Sequence, residues 1–331
     1  MIRILIAVLA LPAVLLGAHV YAGEFVNPLY QYTDDDKSLM QTCLKGTLKE
    51  SPSLEGVLSG CTLVILDPAA APEDKAHAYV MRAAGRNTDR INAIVADMHT
   101  AISLAPRMWE AYYLRGMVVW LGAGNVAANC PGEAQSDLSR AIEYGLDKSS
   151  IEEAYRVRAT CRARNGDVDA AAADFEVAAA IDGAHAVDYL RMAAGYLKDA
   201  GHHTGASKLW ERNVGRFPGN RDVQIEYVRA LVDSDRAARA IGICSANLRQ
   251  HPESGVWLIE RGKAYEAFGE RDKAIADYRA VLALTQELRK RDWDWSPEEF
   301  ETVRVADFAT WQLRALGITV ESEPEIPVIV E

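Results

Sequence analysis

Cysteine offers the most versatile chemistry in this chain. There are five: Cys43, Cys61, Cys130, Cys161 and Cys244. A thiol can attack an electrophile, ligate a metal or join a second thiol. The count is odd, so at least one is free or pairs between chains. No two lie at Cys-x-x-Cys spacing, which removes that redox or zinc signature. His202-His203 is the one adjacent histidine pair. Metal binding would need further ligands at suitable spacing, and a solvated turn accounts for the pair, so no metal is expected. No His-Glu-x-x-His, Gly-x-Ser-x-Gly or phosphate-loop motif occurs, and Gly122-Ala123-Gly124 is too short to cradle a phosphate. These residues describe a binding protein without a cofactor, rather than an enzyme.

The 331 residues hold 47 acids against 36 bases, a formal charge of −11. A nucleic-acid partner requires a basic footprint, so none is expected. Charged residues at 25% and hydrophobic ones at 49% fit a folded soluble chain. The N-terminus is more specific. Arg3, the apolar run Ile4 to Leu16 and the ending Val20-Tyr21-Ala22 read as a secretory signal over residues 1–22, cleaved after Ala22. The alternative is an uncleaved anchor, the sole membrane contact considered, because Ile4 to Gly23 is long enough to span a bilayer. Pro12 and the cleavage-like ending favour cleavage. Export would place the cysteines where disulfides persist.

The elements that position these residues repeat. An alanine followed four residues later by a larger side chain recurs at Ala134/Leu138, Ala171/Phe175, Ala206/Trp210, Ala240/Cys244 and Ala274/Tyr278, at steps of about 34 residues. A second column of mostly small residues runs upstream through Gly116, Ala159, Ala194, Val228 and Gly262. A third, Gly166, Gly201, Asp235 and Gly269, marks turns. Prolines 68, 106, 218 and 252 close several units. The pattern is clear from Ile151 to Leu288 and degenerate before it. Extra residues interrupt one unit between Gly122 and Gly132. Ser296-Pro297-Glu298-Glu299 starts a later helix, with a capping serine, a proline in the first turn and acids at the positive dipole end. Phe300, Val303, Asp307, Phe308, Trp311 and Ala315 trace its stripe, and Gly317 stops it.

These columns resemble the tetratricopeptide repeat, and the cysteine-bearing start resembles exported bacterial members of that superfamily. The resemblance implies an all-α fold: a right-handed superhelical solenoid of antiparallel helix hairpins, about six of them, with a C-terminal capping helix. The expected boundaries are a linker over 23–36, an N-terminal helix pair over 37–70, the solenoid over 75–288, the capping helix over 289–318 and an acidic tail over 319–331. The Cys61-Thr62 to Asp67-Pro68 stretch and the earlier Cys43 look like those exported relatives, where a bridge would staple the terminal pair by about 3 kcal/mol. Two buried thiols are the alternative. Cys130 and Cys161 stand equally open between a bridge, which would pin the insertion, and free thiols. Cys244 takes a core column.

In this architecture the first helix of each hairpin lines a concave groove. Helical spacing places Tyr113 and Met117, Arg156 and Thr160, Arg191 and Gly195, Ile225 and Arg229, and Ile259 and Lys263 on that face, with Trp120 and Lys198 one turn on. None of the first ten is acidic. The expected site is therefore apolar at Tyr113, Met117 and Trp120 and basic at Arg156, Arg191, Lys198, Arg229 and Lys263. It would suit an acidic or C-terminal carboxylate peptide, the tail segment Glu321 to Glu325 being one candidate occupant. The function expected is a periplasmic scaffold holding a protein or peptide partner within an envelope assembly. Alternatives are a structural homo-oligomer and an envelope enzyme subunit using the 122–132 insertion.

Overall fold

A computed structural model of the protein describes residues 33–45, 54–86, 90–122, 130–291 and 295–320. The expected signal segment, most of the insertion and most of the expected acidic tail lie outside them. The described residues form helices joined by turns, without a strand, in two compact units, Met1–Asn165 and Gly166–Glu331.

The first unit contains α1 (Asp34–Lys45), α2 (Leu54–Leu66), α3 (Pro72–Ala84), α4 (Ile91–Leu104), α5 (Trp109–Gly122), α6 (Gly132–Glu143) and α7 (Ile151–Arg164), each packed on the next. Helix α1 starts at Asp34, inside the stretch expected to be linker. Thr33 and Asp36 form a reciprocal cap, Asp36 N donating to Thr33 Oγ1 (3.1 Å) and Thr33 N to Asp36 Oδ2 (2.9 Å). That cap and the three aspartates of the first turn favour the positive helix end. Both cysteine pairs are bridged. Cys43 and Cys61 join α1 to α2 with Cα atoms 5.1 Å apart, and Cys130 joins the end of the insertion to Cys161 of α7 at 4.9 Å.

The second unit contains α8 (Val168–Ile181), α9 (Ala186–Asp199), α10 (His203–Asn213), α11 (Arg221–Asp233), α12 (Ala237–Gln250), α13 (Gly255–Phe268), α14 (Arg271–Arg289), α15 (Pro297–Arg304) and α16 (Ala306–Ala315). Consecutive helices pack as neighbours here too. Buried Phe175, Trp210, Cys244 and Tyr278 all come from the bulky column.

The columns meet in space. A Cβ on Gly262 would lie 2.5 Å from the Tyr278 ring, and one on Gly116 would lie 3.1 Å from the Leu138 side chain. Small residues let the helix axes approach, and the bulky ones fill the gap. The turn column is equally physical. Gly166, Gly201, Asp235 and Gly269 all adopt left-handed φ, at 91°, 80°, 59° and 88°. Such a conformation costs a side-chain-bearing residue energy, and aspartate is among the few that tolerate it.

The C-terminal cap comprises two helices rather than one. Val305 interrupts it, although Val305 N to Glu301 O and Ala309 N to Val305 O, both 3.1 Å, keep the turn spacing. The Ser296/Glu299 capping box and the left-handed Gly317 stop are both present. The cap also does more than shield α14. Thr302 Oγ1 accepts from Gly255 N (3.1 Å), so α15 caps the start of α13, and a Cβ on Gly255 would lie 2.7 Å from the Thr302 side chain.

Candidate binding site

Helix α13 locates the site. Residues Gly255 to Glu260 are buried around the whole helix, whereas a surface helix buries one stripe. The additional cover comes from α15 and α16. Between α9, α11, α13 and these two helices lies a cavity of about 330 Å³. Ile225, Val256 and Ile259 form its floor, and Val305 and Phe308 part of its wall.

Charges alternate along its edge. Arg191 lies 3.2 Å from Asp188 and 3.6 Å from Glu226. Arg229 lies 3.6 Å from the same Glu226 and 2.7 Å from Glu260. Lys263 Nζ lies 3.1 Å from Glu260 and 4.4 Å from the Phe308 ring centroid, a cation–π distance. Glu260 is 2% exposed, and all its hydrogen bonds converge on Oε1, from Arg229 Nε, Arg229 Nη2 and Lys263 Nζ. A carboxylate so buried needs that compensation. Burial pulls the Arg229 guanidinium pKa down, but the hydrogen bond and charge of Glu260 outweigh it, leaving the pKa above its ordinary value. The alternation stops at Lys263. Beyond it the wall carries Arg304, which has no carboxylate partner among the described residues. Glu301, also in the wall, is taken by Arg221 at 2.6 Å.

The structure thus gathers Arg191, Arg229 and Lys263 into one cavity, but not as an acid-free basic face. Asp222, Glu226, Glu260 and Glu301 line the same cavity as Arg191, Arg229, Lys263 and Arg304. Glu226 and Glu260 each follow a floor isoleucine by one position, and their long side chains reach the neighbouring helix's arginine. Strict four-residue spacing passes over them. Lys198 is outside the cavity, paired with Asp233 at 2.8 Å.

The remaining expected contacts lie in the first unit and are largely committed. Arg156 pairs within α7, 3.1 Å from Glu153 and 4.0 Å from Glu152. Tyr113, Met117 and Trp120 are partly buried against a core cluster that includes Cys130, Leu138 and Cys161. The Tyr113 hydroxyl donates to Glu153 at 2.9 Å; burial first, and then that carboxylate, push its pKa up. These three side chains flank a core that the disulfide staples and keep only part of their surface open. Of the histidines, His202 Nδ1 lies 3.3 Å from Asp169.

Sequence reasoning missed Arg304 and Phe308 as site residues. The spacing places Phe308 on the mainly apolar stripe of a cap, and that stripe is split: Phe300 and Trp311 are 53% and 61% exposed, while Phe308 turns to Lys263. The signal available was the continuously apolar start of α13, which calls for cover on a second side.

Searches of known proteins found no matching family model and no matching curated protein. Solved structures do align. The resemblance is to tetratricopeptide-repeat proteins. One from Parabacteroides merdae aligns over 84% of this chain and 100% of its own, at 12% identity and a TM-score of 0.40. MamA aligns over 68% and 99%, at 15% identity and 0.31. YrrB, a tetratricopeptide-repeat protein with an unusual peptide-binding site, aligns over 62% and 84%, at 14% identity and 0.28. The hairpin assignment itself rests on this chain's own columns and their contacts.

Proposed function

We propose that this protein is an exported helical-hairpin scaffold that binds a protein or peptide partner, without catalysing a reaction, through the cavity of its second unit. The observation that carries the reading is the interrupted charge alternation. Asp188, Arg191, Glu226, Arg229, Glu260 and Lys263 alternate in sign, and a further cation, Arg304, then lines the wall without a carboxylate partner among the described residues. One anionic group placed between Lys263 and Arg304 continues the pattern through charge-assisted hydrogen bonds. An acidic side chain or C-terminal carboxylate supplies it, with a neighbouring apolar side chain against Val305 and Phe308. Because the other cations are already paired, the partner needs one well-placed carboxylate, not a run of acids. Export is supported by the N-terminal sequence and by two disulfides, which persist in oxidising compartments. No helix among the described residues is long and apolar enough to cross a membrane.

The test is crosslinking and pull-down from an envelope fraction, comparing the natural chain with Lys263→Glu/Arg304→Glu. Circular dichroism checks that the variant folds. The expected result is loss of the main partners with unchanged helicity. Recovery of the same partners by the folded variant rejects this site.

A further inference from the structure

A second cavity of the same unit, about 490 Å³, lies between the start of α11, the end of α12, α13 and the first turn of α15. It shares only Asp222 with the site above. Its lining is unusual in kind. Asn220, Gln224, Asn247 and Gln250 contribute four carboxamides and Asp222 and Glu298 two carboxylates; Arg221 and His251 also line it, and there is no serine, threonine or lysine.

The hydrogen-bonding capacity left over is specific. Asn220 Oδ1 accepts from Val223 N at 3.1 Å, which leaves its NH2 group. Asn247 Nδ2 donates to Ile243 O at 3.1 Å, which leaves its carbonyl. The side chains of Gln224 and Gln250 have no hydrogen-bond partner among the described residues. The floor includes Trp257, a ring only 1% exposed, whose indole N–H also has no partner among them.

Charge and geometry narrow the ligand. Asp222 and Glu298 disfavour an anion, and Arg221 is already bound to Glu301 at 2.6 Å. The Trp257 N–H and the Asn220 NH2 disfavour a cation. The ligand is therefore neutral and carries groups that both donate and accept, as hydroxyls do. Each carboxamide or carboxylate presents two polar atoms in one plane, which matches two neighbouring hydroxyls on a ring in the way planar groups make paired hydrogen bonds. A peptide would require an apolar pocket for an anchoring side chain, and the tryptophan ring is covered almost entirely. We infer that this cleft is a saccharide-binding site, in which the Trp257 indole N–H, the carboxamides of Gln224 and Gln250, the Asn247 carbonyl, and the carboxylates of Asp222 and Glu298 hold adjacent hydroxyls of a neutral sugar.

The test uses the full chain labelled with 15N and follows the assigned Trp257 indole resonance during titration with maltotriose, cellotriose and chitotriose, and separately with a blocked tetra-alanine peptide. The expected result is a saturable shift with at least one trisaccharide at millimolar concentration. That shift should fall at least tenfold in apparent affinity, about 1.4 kcal/mol, in Gln224→Ala/Asn247→Ala, a variant whose melting curve checks its fold. The inference is overturned if no trisaccharide moves the resonance. The same holds if only the peptide moves it, which marks a peptide site, or if the folded double variant shifts as strongly as the natural chain.

Discussion

Arg261 grips Asp277 through two parallel hydrogen bonds, Nε to Oδ2 at 2.8 Å and Nη2 to Oδ1 at 2.7 Å, with Asp277 5% exposed. Arg82 holds Asp97, and Arg115 holds Asp137, by the same two-pronged contact. In each case the arginine precedes a small residue, Gly262, Ala83 or Gly116, and the aspartate precedes a bulky one, Tyr278, Met98 or Leu138. Two other hairpins carry Ala193 with Leu209 and Tyr227 with Ile243 at these positions, so both partners are apolar together. The reason is electrostatic: a buried carboxylate without its cation is far worse than either complete solution. Arg261→Ala should therefore destabilise the second unit by about 3 kcal/mol. Adding Asp277→Leu, which copies the Ala193/Leu209 arrangement, should restore stability to within about 1 kcal/mol of the natural chain. Urea denaturation of the two variants checks this. A double variant no more stable than Arg261→Ala would show that the pair does not act as a unit.

Helix crossing makes a sharper prediction at two glycines. Gly262→Ala places a methyl group 2.5 Å from the Tyr278 ring, whereas Gly195→Ala meets nothing within 4 Å. The first should cost about 1–3 kcal/mol through overpacking. The second should add about 0.5–1 kcal/mol through helix propensity. Thermal melts of the two single variants should therefore move in opposite directions.

Thiol chemistry separates the two units. Cys244 is fully buried, and burial first, then the nearby Glu260 charge, push its thiol pKa up. The native chain should therefore be inert to iodoacetamide at pH 8. Unfolding without reductant should release a single alkylatable thiol, Cys244, while the other four cysteines stay in their bridges. Peptide mass spectrometry reads both outcomes. Cys43→Ser/Cys61→Ser should cost about 3 kcal/mol in the first unit.

The acid limb of stability has a named contributor. Hydrogen bonds from the Ser149 hydroxyl, then from the backbone N–H groups of Ser149 and Ser150, hold the Asp147 carboxyl below its ordinary pKa, against an opposing effect of burial. The folded value lies below the unfolded one, so ionisation favours the fold. That contribution is complete above the ordinary carboxylate range near about 4 and fades as pH falls through the lowered folded value. Tm should be nearly level from neutral pH to about 5 and decline below about 4. Asp147→Asn should lower Tm at neutral pH and flatten part of that decline. An acid limb identical in the variant would assign the loss to other carboxylates.

Much of this fold is legible along the chain, because it is built from local periodicity. The alanine, glycine and bulky columns specify where helices cross, the turn column specifies the left-handed residues, and Ser296 to Glu299 specifies a helix start. Each follows from steric or hydrogen-bonding rules that act within a turn or between neighbouring helices. The sequence also determines which residues carry charge at groove positions, and so it picked out Arg191, Arg229 and Lys263. Only the tertiary structure decided what those charges face. Glu226 and Glu260 reach them from neighbouring helices through side-chain rotamers that spacing does not encode. The C-terminal helices turn onto α13, which converts an open row into a cavity and adds Arg304 and Phe308. Tyr113, Met117 and Trp120 lie partly buried against a core closed by the Cys130–Cys161 bridge, because apolar side chains pack wherever a partner surface is offered, and that partner is distant in sequence.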